Sequence, residues 1–135
     1  MNQGKYYLQL AALILSLSLL YVTKANAETN TSNQVAASLS QLVFPLGVAV
    51  LHSDIGTHIS TRIKPTMSSG RTPMVRWEVA NDAQFTEVIE KGYSKTSTEQ
   101  GYKVAVNMNP PKHAQTYFFR FQHNGIYSSV GTLTH

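Results

Sequence analysis

Apolar positions fall into three regimes along the chain. Leu10 to Val22 is mostly Leu, Ala and Ile, broken only by Ser16 and Ser18. Residues 28–41, ETNTSNQVAASLSQ, are small and polar with no apolar period long enough to insist on a helix, which predicts a flexible leader over 28–43. From Phe44 onward, short β-rich runs alternate with turn residues. They predict strands at 44–51, 57–63, 74–80, 87–94, 102–108, 116–123 and 126–134.

The alternation is cleanest at Thr116 to Gln122, where Tyr117, Phe119 and Phe121 point one way and Phe118 and Arg120 the other. His123-Asn124-Gly125 then reads as a tight hairpin turn, because Asn-Gly tolerates the positive φ of a type I′ turn. Lys103 to Met108 and Met74 to Ala80 alternate in the same way, the latter with Val75, Trp77 and Val79 opposite Arg76 and Glu78. Asn81 or Asp82 is placed to cap a short helical turn over 82–87. About seven short strands around one Trp define an all-β fold, a β-sandwich of the immunoglobulin or fibronectin type III kind. Trp77 is the expected core anchor. Tyr117 suits a tyrosine corner, its hydroxyl tied back to the preceding loop.

The apolar run near the start has the form of a targeting signal. Lys5 precedes it, and Ala25-Asn26-Ala27 supplies the small residues of a cleavage site. Residues 1–27 therefore read as a secretory signal peptide, preceding a leader over 28–43 and a sandwich over 44–135. At 13 residues the run falls short of the ~20 that span a bilayer. No stable membrane insertion is expected after cleavage behind Ala27, and the mature protein is expected in the periplasm or secreted. No Arg-Arg pair precedes the run, so the signal is of the general secretory type.

Composition narrows the field further. There is no cysteine, which excludes disulfides, thiol catalysis and a lipidated-cysteine anchor. Only 13% of residues are charged, against a usual quarter or so, which argues against coiled coils and charged tails. Removing residues 1–27 takes Lys5 and Lys24 from the eleven Lys and Arg, so nine remain against seven Asp and Glu. Those basic residues are spread singly rather than clustered, which argues against nucleic acid as a partner. Asn30-Thr31-Ser32 matches a glycosylation acceptor and is read as part of a polar leader.

The candidates for chemistry are His52, Ser53, Asp54 and His58. Neighbours on a strand face opposite ways, so His52-Ser53-Asp54 makes no relay. His52 and His58 lie six apart across a turn and have a route to converge, but two His make only half of a usual metal shell. His113, His123 and His135 are expected at the surface. Glu87 and Glu90 read as a solvated pair, without the facing geometry of paired-carboxylate catalysis. No phosphate loop, nucleophile elbow or H-E-x-x-H motif occurs. The stripe Tyr117, Phe119 and Phe121 is read as core rather than as a binding platform. No catalytic, cofactor-binding or metal residue is assigned, and no cofactor is expected.

Four stretches together resemble one family. They are Phe44-Pro-Leu-Gly-Val-Ala49, Thr61-Arg-Ile-Lys-Pro65, Val75-Arg-Trp-Glu-Val-Ala-Asn-Asp-Ala-Gln-Phe85, and Tyr117-Phe-Phe-Arg-Phe121 with Ser129-Val-Gly-Thr132. Their order and spacing are similar to the N-terminal domain of PhoD-type alkaline phosphatases, also described as phospholipase D-like, over residues 44–135. The resemblance implies a fibronectin-like sandwich, with metals and phosphoester chemistry held in a metallophosphatase domain that follows. No metal-binding residue of the family carries over to this sequence. The chain departs from the pattern at Val50-Leu51-His52-Ser53, where the family runs Ser-Gly-Asp-Pro, and at Ser60, where it has Trp. It also carries a longer loop over Asn109 to Thr116. The resemblance implies an exported, non-catalytic binding or accessory module, or a truncated remnant. The alternative is the non-catalytic half of a split phosphatase whose metallophosphatase is a separate chain. A third reading is a carbohydrate- or envelope-binding domain using Tyr93, Tyr102 or Tyr127.

Overall fold

The computed structural model of the chain describes residues 3–54, 56–65, 72–108 and 116–134. Contacts divide the chain into two compact units, residues 1–36 and 37–135. One helix, α1 (Gln3–Val43), begins in the first unit and ends in the second. No Gly or Pro occurs between Gly4 and Pro45, so nothing in that stretch breaks the helical hydrogen-bond ladder.

In the first unit Ser16, Ser18 and Thr23 donate their hydroxyls to carbonyls three residues back, and Thr29 and Thr31 to carbonyls four back. The side chains thus satisfy themselves along the helix instead of drawing the backbone out of it. Residues 28–43 are helical in continuation of the same helix, where the sequence predicts a flexible leader. Among the described residues no helix is long and apolar enough to cross a membrane.

In the second unit the helix ends for local reasons. The Phe44 N–H still donates to the Ser40 carbonyl at 2.7 Å, but Pro45 biases the residue before it away from helical geometry. The Gly47 N–H then closes a turn on the Phe44 carbonyl at 2.9 Å, with Gly47 at φ 62°. That turn delays the first strand, expected from residue 44, until Val48.

The strands make two antiparallel sheets. β1 (Val48–Ser53), β2 (Gly56–Arg62) and β5 (Lys103–Met108) form a three-stranded sheet in the order β1-β2-β5. β4 (Val88–Lys95), β3 (Met74–Ala80) and β6 (Thr116–His123) form the second. Two short strands complete it: β7 (Ile126–Tyr127) pairs with the end of β6, and β8 (Gly131–Thr134) with its start. The fold is an all-β sandwich, as the alternation predicts. The last expected strand, 126–134, is two strands because Ser128 turns inward. Its N–H donates to the Phe121 carbonyl and its hydroxyl oxygen accepts the Phe121 N–H, both at 2.9 Å.

The core lies between the sheets. Ile59, Val104 and Met108 from one sheet meet Val75, Val79, Phe119, Phe121 and Leu133 from the other, with Val43 and Phe44 beneath. Phe119 and Phe121 are fully buried and meet edge to face, with centroids 6.2 Å apart. They, rather than Trp77, are the centre. Trp77 is half-buried and packs against this core, with its ring over Gly92 of β4. Tyr117 is buried as expected; the loop to which its hydroxyl was to be tied, Asn109 to Gln115, lies outside the described residues.

Candidate functional site

The β1–β2 hairpin carries the residues singled out for chemistry. Its register pairs Leu51 with His58 and His52 with Thr57. Directly opposed residues share a face and neighbours along a strand do not, so His52 and His58 lie on opposite faces of the ribbon. The convergence that their spacing allowed does not occur. His52 Nδ1 instead lies 3.0 Å from the Thr57 hydroxyl, and the Ser53 hydroxyl donates to the Gly56 carbonyl at 3.0 Å. Ser53 Oγ and His58 Nε2 are 3.5 Å apart on the outer side, with Asp54 exposed in the turn. Among the described residues no three His, Asp or Glu gather as a metal shell.

His123 corrects the expectation of a surface histidine. It is 6% exposed, and its Nδ1 lies 2.9 Å from the Met74 carbonyl, so the ring fastens the β6–β7 hairpin to the start of β3. Asn124 and Gly125 both take positive φ, as a type I′ turn requires. His113 and His135 lie outside the described residues. Glu87 and Glu90 are exposed, Glu87 at the end of the Asp82 turn and Glu90 on β4.

Residues 82–87 form a turn rather than a helix. Asp82 caps it: one carboxylate oxygen accepts the N–H groups of Gln84 and Thr86, and the other accepts the Glu87 N–H and the Thr86 hydroxyl. These donors, first of all the Glu87 N–H, hold the Asp82 carboxyl below its ordinary pKa. Phe85 takes φ 60° and is buried against Arg120. The helical reading missed this because the Asp side chain meets the backbone donors that a helix would have paired internally.

The outer face of the larger sheet holds a cluster that the sequence reading did not pick out. Glu78 is 4% exposed and bridges two guanidinium groups, Arg76 on its own strand and Arg120 across on β6, the latter through Nη2 at 2.8 Å and Nε at 2.9 Å. Arg120 is sandwiched between the rings of Phe85 and Tyr127, 3.9 and 4.0 Å from their centroids. The signal was the outward alternation Arg76-x-Glu78 opposite Arg120. Tyr93 stands 66% exposed on the same face, Tyr127 covers Arg120, and Tyr102 packs on the core with its hydroxyl 2.9 Å from that of Thr98. Tyr102 is thus apart from the other two, while Tyr93 and Tyr127 share one exposed face.

The smaller sheet has a different outer face. Its register aligns Ala49, Ser60 and Ala105 in one row, and Arg62 opposite Lys103 in the next. A groove of about 170 Å³ runs there, lined by Leu46 to Ala49, Ser60 to Arg62 and Lys103. Leu46, at the groove, is 73% exposed, and Leu51 further along β1 is 60% exposed.

The fold and these two faces define a β-sandwich module. Residues 27–135 match the family described as PhoD-like phosphatase, N-terminal domain, and the chain belongs to that family. A solved structure of PhoD is similar, with a TM-score of 0.58 and 27% identity over 67% of this chain. The match covers 19% of that structure's length, so the chain spans about a fifth of it. No curated protein matches the chain.

Proposed function

We propose that this chain is an exported, non-catalytic accessory domain that serves a PhoD-like metallophosphatase polypeptide. The observation that carries the reading is the match of residues 27–135 to the N-terminal domain of that family. Supporting it, the charged and polar groups described above are spent on structure: Glu78 on two arginines, Asp82 on a turn, His123 on a strand carbonyl. Lowering the pKa of a bound water toward neutrality takes a metal held by about three protein ligands with one open position. The two Asp of the chain, Asp54 and Asp82, sit in different turns, and His52 and His58 face apart.

The purified chain is expected to turn over neither a chromogenic phosphomonoester nor a phosphodiester, with or without calcium, iron or zinc. Metal-dependent turnover that disappears in a His52→Ala, His58→Ala variant would overturn the reading. Export rests on Lys5, the apolar run and Ala25-Asn26-Ala27. N-terminal sequencing of exported protein is expected to begin at Glu28; material still starting at Met1 sinks that part. The same domain fits the non-catalytic half of a split phosphatase, because about four-fifths of the solved PhoD chain lies outside the match.

A further inference from the structure

β4 forms one edge of the larger sheet, and the direction of its free backbone groups follows from its end. The Thr96 N–H donates to the Pro73 carbonyl at 3.1 Å, which makes Thr96 a hydrogen-bonded partner of the strand beside it. Hydrogen-bonded and non-hydrogen-bonded pairs alternate along an antiparallel ladder, so Gly92 and Ser94 also turn their backbone groups toward β3. Lys91, Tyr93 and Lys95 turn theirs outward. The same parity puts the Ser97 carbonyl outward, where it accepts the Tyr102 N–H at 2.9 Å. The irregularity opposite Val79 and Ala80 falls at Ile89, which leaves Glu90 to Lys95 regular. Among the described residues no strand lies beside that stretch on its outer side.

Such an edge is a template for another strand, and proteins commonly guard it with a charge pointed inward. Glu90 is that charge here. The Trp77 ring lies over Gly92, so Glu90, Gly92 and Ser94 face the inner side of the sheet and Lys91, Tyr93 and Lys95 the outer. A groove of about 310 Å³ lies between β4 and β5, lined by Ser94, Lys95, Gln100 and Lys103 to Ala105. Among the described residues Glu90, Lys95 and Lys103 make no ion pair. One strand edge thus carries an acid at Glu90 and, further along at Ser94, a groove with two bases.

We propose that β4 pairs antiparallel with β4 of a second copy of this chain, in the register that sets Gly92 opposite Gly92. A two-fold axis normal to the sheet keeps each residue on its own face, so only residues of like parity oppose each other. Among the registers that overlap most of the strand, centring on Lys91 sets Lys91 against itself, and centring on Tyr93 sets Lys91 against Lys95. Like charges directly opposed are destabilising. Centring on Gly92 instead opposes Lys91 to Tyr93, an ammonium to an aromatic side chain that is 66% exposed in the single chain. The outward backbone groups of these two residues then meet as a hydrogen-bonded pair. On the inner side Glu90 opposes Ser94, which brings each Glu90 to the other copy's groove and its Lys103. Gly92 at the axis puts no side chain between the strands. The inward acid that guards the edge against other strands is answered by the lysines of a second copy.

Sedimentation equilibrium of the full chain tests the pairing, with thermal melts to confirm that each variant is folded. Wild type is expected to show a monomer–dimer equilibrium that weakens in salt. Glu90→Lys and Lys103→Glu should each weaken the dimer by about tenfold or more, and the two together should restore it, because the charges are exchanged and still meet. Leu46→Asp, on the other sheet, should stay within about twofold. The register has its own readout, since the chain has no cysteine to interfere. A mixture of Glu90→Cys and Ser94→Cys chains should form a covalent dimer under a mild added oxidant, as directly opposed residues of a non-hydrogen-bonded pair stand about 4.5 Å apart at Cα. Either variant alone should not, because its two cysteines lie four residues out of register, about 13 Å apart along the strand. A chain that stays monomeric at about 1 mM overturns the proposal. So does a dimer that is unmoved by Glu90→Lys, is lost in Leu46→Asp, or cross-links through one cysteine variant alone, since each of these places the contact elsewhere or in another register.

Discussion

Two glycines are held by rings rather than by turns. A Cβ on Gly131 would stand 2.3 Å from Cζ of Phe119, and one on Gly92 would stand 2.5 Å from Cζ2 of Trp77. Neither position has a positive φ, so the demand is for space alone. The two rings differ in what they can do about it. Phe119 is fully buried and meets Phe121 edge-on, so it has no vacant side to move into. Trp77 is only half-buried, so its ring is less tightly enclosed. Gly131→Ala is therefore expected to cost about 1–3 kcal/mol by overpacking. Gly92→Ala should cost visibly less in the same urea titration; the reverse order would show that the Trp77 ring is the more tightly held of the two. By the same reasoning Trp77→Ala should fall below the ~3–5 kcal/mol of a fully buried aromatic, with Phe119→Ala inside that range.

At the scale of elements, the Asp82 turn supplies the prediction about acid. Its carboxylate accepts donors from Gln84, Thr86 and Glu87, and its pKa is lowered in the folded chain. A group lowered on folding adds stability that is fully present above its unfolded value and is lost as pH falls through the folded one. The wild-type urea midpoint should thus fall below about pH 4 more steeply than that of Asp82→Ala, whose midpoint is lower at neutral pH. Parallel curves would remove Asp82 from the acid response. The turn also shows how far the elements were legible. Period-two alternation located β3, β5 and β6 because apolar side chains take one face of each, as Tyr117, Phe119 and Phe121 display against Arg120. It misread two places where side chains replace backbone partners, the Asp82 turn and the break at Ser128, and it left residues 28–43 without the helix they form. It also left His52 and His58 free to converge, because spacing in sequence does not fix strand register. The Arg76–Glu78–Arg120 cluster escaped it because two of its members meet only across β3 and β6.

For the whole molecule, the question is what holds a small sandwich together without covalent staples. Domains of this size are stable by about 5–15 kcal/mol, and many small secreted ones depend on disulfides or a structural metal. This chain has no cysteine, and among the described residues its buried hydrophobic ones run from Val43 to Leu133. Its stability must then come from the interleaved aromatics and aliphatics of the two sheets, with buried polar groups paired as Thr61 is to the Gly47 carbonyl and Thr96 to that of Lys103. The chain should accordingly melt in one cooperative transition, and neither a thiol reductant nor a strong chelator should move its midpoint. The size of the effect makes the chelator arm decisive. Structural zinc sites contribute on the order of 10 kcal/mol, comparable to the entire stability of such a domain. Stripping a metal of that kind would unfold the chain or lower its midpoint by tens of degrees, far outside the error of a melt. Among the described residues no three ligand side chains gather. A chelator-sensitive transition would therefore place ligands in the segments around His113 or His135, and would replace hydrophobic packing with metal binding as the source of the fold's stability.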